Sequence, residues 1–349
     1  VSPRGGIAVG LLAALAGAQE PVAAPSPRAP EAALRQADAA AAAAGLARHD
    51  FVEVHFGNIP VELSLYAADA ERARAAARAA FARIAELAAM MDDYALDPPS
   101  PLNRIAAEAP AAVEVPPELF EALERAVDHH RLTAGAFDIS AKPFVQLWRV
   151  SRRLGELPPA DRLRRARDFV DLGALELEPG TCRARLRREG MWLDLGGLAK
   201  GQIGDEVVRL LEERGLPICR YHAGGDMVFG AAPPGLPGWP VHVTDLAIDG
   251  EALAFWASGS AASVSGDLFR FVEIDGRRYA HVIDPRTGLG VTERRIACVR
   301  GLRGIDTDPL ATAGLILDEA EWRDALAGVP GCRGWVARIG AVGGAAGGR

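Results

Sequence analysis

Apolar and polar positions alternate between residues 51 and 66 around a Gly-Asn-Ile-Pro break, which predicts two strands joined by a hairpin loop. From Asp69 the period changes. Ala76, Ala80, Phe81, Ile84, Leu87 and Met91 fall on one helical stripe, so a long helix is expected to start at an Asp69 cap and face a sheet. It should stop within "MMDDYALDPPSPLNR", where acids and prolines crowd together. Further helices are expected over residues 31–48, 117–134 and 162–170, with strands around Leu175 and Leu186. "MWLDLGGLAKGQIGDEVVRLLEERG" reads as a short strand, a Gly-Gly turn and an amphipathic helix closed by Gly215. From Ile218 onward strands and turns alternate through Phe229, His242, Phe255, Phe271 and Ile283. A last helix is expected from Pro309 with Asp308 as its cap, then a strand over 335–339. Helices and strands interleave irregularly and no repeat is visible, which predicts an α+β fold.

The 349 residues, 49% hydrophobic and 24% charged, suffice for a sizeable core. Lys and Arg number 39 against 46 Asp and Glu, and the formal net charge of -7 argues against a nucleic-acid partner. The Arg-rich run over 149–167 is spaced around Leu154, Leu163 and Phe169 like the solvated face of a helix. At the N-terminus, one cation, an apolar stretch and Ala-Gly-Ala lay out a signal peptide over 1–18. An uncleaved apolar anchor is the alternative. A Pro/Ala linker is expected over 19–34, a folded domain over 35–340 and a disordered Gly/Ala tail over 341–349. The expected location is therefore outside the cytoplasm, periplasmic or associated with the inner membrane on its periplasmic side. Cys182, Cys219, Cys298 and Cys332 show no paired C-x-x-C spacing and are read first as small buried residues.

Four segments can carry chemistry. In "DLGGLAKG", residues 194–201, small residues and a helix start with Lys200 suit a phosphate, or simply make a structural turn. In "HAGGDMVFG", Gly224 and Gly225 permit close backbone approach and Asp226 can accept from a sugar or base; a bulged strand is the plainer reading. Ser265-Gly266-Asp267 forms a polar turn, and the "DGRR" hairpin returns a strand that carries His281 toward it, with Arg270 nearby. In "DTDPLATAGLIL", Asp308 and Thr312 lie one helical turn apart and can offer hard oxygens to Mg²⁺, unless Asp308 only caps the helix.

Taken in order, "MDDY", "GAFD", "DLGGLAKG", "GGD", "SGD", "HVIDPRTG" and "D-x-L-A-T" resemble the FAD:protein FMN transferases, the ApbE family, across residues 51–317. The resemblance implies an ApbE-like fold, with mixed or antiparallel sheets, packed helices and an FAD cleft between them. It also implies an enzyme that cleaves FAD, passes FMN to a threonine of an acceptor flavoprotein and releases AMP. On the family's pattern, Asp308, Thr312 and the Ala199 carbonyl would hold Mg²⁺, and His281 would be the base. Met91 and Tyr94 would contact FAD, and Asp138, Lys200, Gly224, Gly225, Asp226, Ser265, Gly266 and Asp267 would line the ligand. Asp194 is read as support for its turn, and Asp284 and Arg286 as braces for His281.

The sequence departs from that pattern in two places. Pro309 follows Asp308 where a small residue is usual, and "SPLNRIA" puts Pro101 and Ala106 where the family has an acid and an amide. These departures keep two alternatives open: an FAD-binding protein without transfer, and an Mg²⁺-dependent FAD pyrophosphatase yielding FMN and AMP.

Overall fold

A computed structural model describes residues 30–248, 251–266 and 271–339. The expected signal peptide and the tail over 341–349 lie outside the described residues. The expected linker is shortened at its end, because Pro30 opens a helix that runs to Ala43 and buries Leu34, Ala37 and Ala41. That helix stops before Arg48. Gly45 takes a φ of 71° and the chain enters a strand at Ala47, the left-handed turn that glycine makes without steric cost.

The centre of the molecule is a seven-stranded sheet formed by Ala47–His55, Ile59–Ala67, Cys219–Ala223, Asp226–Phe229, Ser260–Gly266, Arg295–Gly301 and Arg333–Arg338. These strands lie side by side in chain order, every pair antiparallel. Successive side chains point to opposite faces. Leu63, Leu65, Cys219 and Tyr221 pack toward the helices Ala70–Met90 and Ala199–Glu213, while Tyr66, Phe229, Ile296 and Cys298 join a second core. That second core lies beneath the helix Pro30–Ala43 and a hairpin of Trp239–Ile248 with Glu251–Ala257. Ile84 and Leu87 are fully buried, each stabilising the fold by about 1.5–3 kcal/mol. The four cysteines are free thiols, with Cys219 and Cys298 buried. Among the described residues no helix is long and apolar enough to cross a membrane.

Asp69 caps the long helix as expected, accepting from the Glu71 amide at 2.9 Å. Gly215, with a φ of 73°, ends the helix that begins at Ala199. Its amide donates to Glu212 and the Leu216 amide to Leu211, the bonding that lets a glycine close a helix. The "DGRR" hairpin also forms. Asp275 and Gly276 both have positive φ, and Ile274 pairs with Arg277.

Other expectations are corrected. Residues 191–195 form no strand; the Asp194 amide instead donates to the Ile139 carbonyl at 2.8 Å. A short helix, Pro101–Ala107, restarts after the prolines, with Ser100 as its cap. The last long segment is two helices, Gly304–Ala313 and Glu319–Ala327. Asp308 does not cap the first of these but lies inside it, as does Pro309. The cap comes from far away in sequence: Asp205 accepts from the amides of Gly304 at 2.6 Å and Ile305 at 3.1 Å. The helices Ala199–Glu213 and Gly304–Ala313 cross at Gly201 and Gly304. A Cβ on Gly201 would sit 2.1 Å from the Gly304 oxygen, and one on Gly304 would sit 2.3 Å from the Gly201 oxygen.

Candidate active site

The turn Gly224–Gly225 joins the paired strands Cys219–Ala223 and Asp226–Phe229 at one end of the sheet. A cleft of about 1450 Å³ passes over this turn. Gly224 has a φ of 63°, and a Cβ on Gly225 would lie 2.2 Å from the Val264 carbonyl oxygen, so both glycines are required by shape. Asp226 lines the cleft together with Lys200, Asp308 and Thr312 from the helices, while Arg220, His222, Met227 and Val241 line it from the hairpin side.

At the centre, the Lys200 ammonium stands 3.0 Å from Asp226 and 3.2 Å from Asp308, both carboxylates nearly buried. Burial and the neighbouring Asp226 charge push the Asp308 carboxyl up to about 7, although Lys200 and the Gly201 amide pull it down. Burial works against the Lys200 charge, but the two carboxylates outweigh it and hold the ammonium protonated. Two acids therefore share one cation. Thr312 Oγ1 lies 3.5 Å from Ser265 Oγ, and Ala199 is the first residue of its helix.

Asp308, Thr312 and Ala199 all border the cleft. A carboxylate, a hydroxyl and a carbonyl beside surplus buried negative charge fit Mg²⁺, which takes few protein oxygens and keeps several waters. Among the described residues no group of three or more His, Cys, Asp and Glu gathers into a metal site.

His281 lines the same cleft, half-buried. The strand expected to carry it ends one residue earlier, at Ala280, and another begins at Ile283. His281 therefore occupies a bend between two short strands. The bend is fixed on both sides, because the Ala280 amide donates to Val291 at 2.7 Å and the Val291 amide to Val282 at 3.0 Å. Beyond it, Arg286 and Asp284 form a two-bond pair at 3.0 and 3.1 Å, and Trp148 Nε1 donates to the Gly288 carbonyl at 2.8 Å. Asp284 and Arg286 brace the loop through each other.

Met91 is buried in the wall, and Tyr94 is 64% exposed at the mouth, with the Arg149 guanidinium 4.6 Å from its ring centre. Ser100 Oγ and Asn103 Nδ2 both donate to the Asp92 carbonyl and tie down this loop. Asp138 reaches the wall, but its carboxylate already accepts from the Ser140 amide and hydroxyl, and burial raises its pKa. Asp194 accepts from the Gly196 amide at 2.8 Å and supports its turn. Gly266 lines the cleft, while Asp267 and Arg270 lie outside the described residues. Wall residues that the sequence did not single out include Phe137, Arg149 and the imidazole of His222, which meets the Gly224 carbonyl at 2.7 Å. Arg149 was absorbed into the run of solvated arginines. Its guanidinium packs on the Tyr94 ring instead, as that of Arg167 packs on Phe144.

An α+β scaffold with a nucleotide-sized cleft, the Lys200 ammonium between two acids and an imidazole in the wall has the features of an enzyme. The sequence profile of the ApbE family matches residues 58–333. The chain is 34% identical over 248 residues to the FAD:protein FMN transferase of Treponema pallidum, covering 66% of this chain and 67% of that one. It is 29% identical over 189 residues to a Klebsiella pneumoniae protein of the same name, covering 54% and 57%. The crystal structure of the Pseudomonas stutzeri flavinyl transferase ApbE in its apo form superposes with a TM-score of 0.70 at 22% identity, over 81% of this chain and 88% of that one. The Thermotoga maritima ApbE protein gives 0.71 at 21% identity, over 83% and 96%. The chain belongs to the ApbE family.

Proposed function

We propose that this chain is an exported, Mg²⁺-dependent FAD:protein FMN transferase, which attaches FMN through a phosphoester to a threonine of an acceptor flavoprotein and releases AMP. Its curated relatives are named FAD:protein FMN transferase. The observation that carries the reading is the convergence of His281, the Asp308–Thr312 turn and the Gly224–Gly225 turn on one cleft. Export rests on the N-terminal charge and apolar pattern alone.

The glycine turn lets a diphosphate approach the backbone, and the Lys200 ammonium lies beside it as a fixed charge. Asp308, Thr312 and the Ala199 carbonyl would hold Mg²⁺, which when bound supplies charge neutralisation at the diphosphate. His281 takes the proton of the threonine hydroxyl, whose oxygen bonds to the FMN phosphorus. The bond from that phosphorus to the bridging oxygen breaks, and the oxygen leaves with AMP. The bend around His281 keeps the imidazole on the cleft wall, so little reorganisation is needed.

The test is to incubate the purified chain with FAD, Mg²⁺ and a threonine-bearing acceptor domain, and to follow nucleotides by chromatography and the acceptor by mass. AMP together with a flavin-sized mass gain supports the reading. FMN and AMP with an unmodified acceptor would make it a pyrophosphatase, and intact FAD a carrier.

A further inference from the structure

We infer that Asp205 is a positioning residue for the cation site: it clamps the helix bearing Asp308 and Thr312 onto the helix bearing Ala199, and so sets the spacing of the three oxygen donors. The inference rests on the metal reading given above. Asp205 and Ala199 belong to the helix Ala199–Glu213, and Asp308 and Thr312 to Gly304–Ala313.

The first amides of a helix have no partner within it, and the residue before Gly304, Arg303, provides no side-chain cap. The Asp205 carboxylate fills that role with both oxygens, one on the Gly304 amide at 2.6 Å and one on the Ile305 amide at 3.1 Å. The contact between Gly201 and Gly304 leaves no room for side chains at the crossing, so the two backbones touch there. A carboxylate clamp beside a backbone contact fixes both the distance and the rotation of one helix against the other. Asp308 follows Gly304 by about one turn, so a shift at the clamp is passed directly to its carboxylate.

The groups around the clamp are accounted for. Arg303 Nε lies 3.6 Å from Asp205 and is itself paired with Glu121 at 2.7 Å. Asp306 faces away, toward Arg125 and the buried His129, whose Nε2 is 3.0 Å from it. That second anchor, on the helix Pro117–Leu132, holds the far side of the same first turn.

The experiment measures Mn²⁺ affinity of the whole chain without FAD, by electron paramagnetic resonance at about pH 8, above the range in which Asp205 holds a proton, for wild type, Asp205→Asn and Asp205→Glu, with folding checked by circular dichroism. Asn keeps the shape but puts a donating NH2 where one of the two accepting oxygens stood, and Glu keeps the charge but displaces the carboxylate by one methylene. Both variants are expected to bind Mn²⁺ roughly 10- to 100-fold more weakly, the effect of losing a partner that orients metal ligands. A loss in Asn alone would mean that distant charge, not position, matters, and would overturn the inference, as would unchanged affinity in both. Absence of Mn²⁺ binding by the wild type would instead remove the metal reading itself. If neither variant folds, amide exchange in the unaltered chain decides. Coupling is reciprocal, so Mn²⁺ should slow exchange at Gly304 and Ile305, and unchanged protection there would overturn the inference.

Discussion

Lys200 Nζ stands 3.2 Å from Asp308 Oδ2 although 108 positions separate the two residues in the chain. The pair ties the start of one helix to the middle of another. Replacing Lys200 with Met strands two nearly buried carboxylates. Breaking such a pair costs about 3 kcal/mol or more, so urea unfolding of Lys200→Met should show a loss of that order. A loss within the scatter of ordinary surface substitutions would mean that Asp226 and Asp308 do not depend on the ammonium.

His281→Ala should bind FAD as the unaltered chain does, in a fluorescence titration, while single-turnover transfer to an acceptor falls by roughly 10²- to 10⁴-fold. The bend that holds residue 281 is built from backbone bonds between Ala280, Val282 and Val291, so the fold survives the truncation. Transfer at the original rate would remove the imidazole from proton transfer.

Gly225→Ala places a methyl 2.2 Å from the Val264 carbonyl oxygen, beside the bond from the Val264 amide to the Gly225 carbonyl. The strand must shift, at a cost of about 1–3 kcal/mol, and the turn that lines the cleft shifts with it. Thermal unfolding and FAD titration should therefore both worsen. An unchanged FAD affinity would place the dinucleotide elsewhere.

Burial pushes the Asp205 carboxyl up to about 7, against the two amides and Arg303, which pull it down. The folded chain keeps a proton that the unfolded chain releases near its ordinary value of 3.8. Stability linked to this group is thus complete below about pH 4 and is lost as pH rises toward about 7. Asp205→Asn cannot ionise. Denaturant titrations across that range should show the unaltered chain losing stability relative to the variant as pH rises, and a constant difference would count against the raised carboxyl.

Local chemistry was legible in the sequence wherever one residue decides the backbone. Asp69 before its helix, Gly215 after another, and Asp275-Gly276 in a two-residue hairpin all behave as their side chains require. The same logic misplaced Asp308, because the cap of its helix is supplied by Asp205, 99 positions away from Gly304. No local pattern reports a partner at that distance. Asp318 and Glu321, by contrast, form a full capping box at 2.9 and 3.2 Å. That signal was present in the sequence and was hidden by the preceding helix, from which Leu315 and Leu317 continue the apolar pattern. The order of the site segments was readable, whereas the bend at His281 depended on ladder bonds to Val291 that sequence does not display.

The strands of the central sheet occupy neighbouring slots in the order in which they are made. The chain departs at Ala67 and re-enters beside that strand at Cys219, then departs at Gly266 and re-enters at Arg295. Tyr94, Asp138 and Lys200 ride on the first excursion and His281 on the second. An excursion whose two ends are adjacent can grow or shrink cheaply, about 0.6 kcal/mol for each doubling in length of a flexible loop. The first excursion builds most of the main core, whereas the second packs in a small cluster of its own around Trp148, Ile274 and Tyr279. Grafting the second from a relative should therefore exchange acceptor preference as a cassette, with the framework beneath left to fold as before.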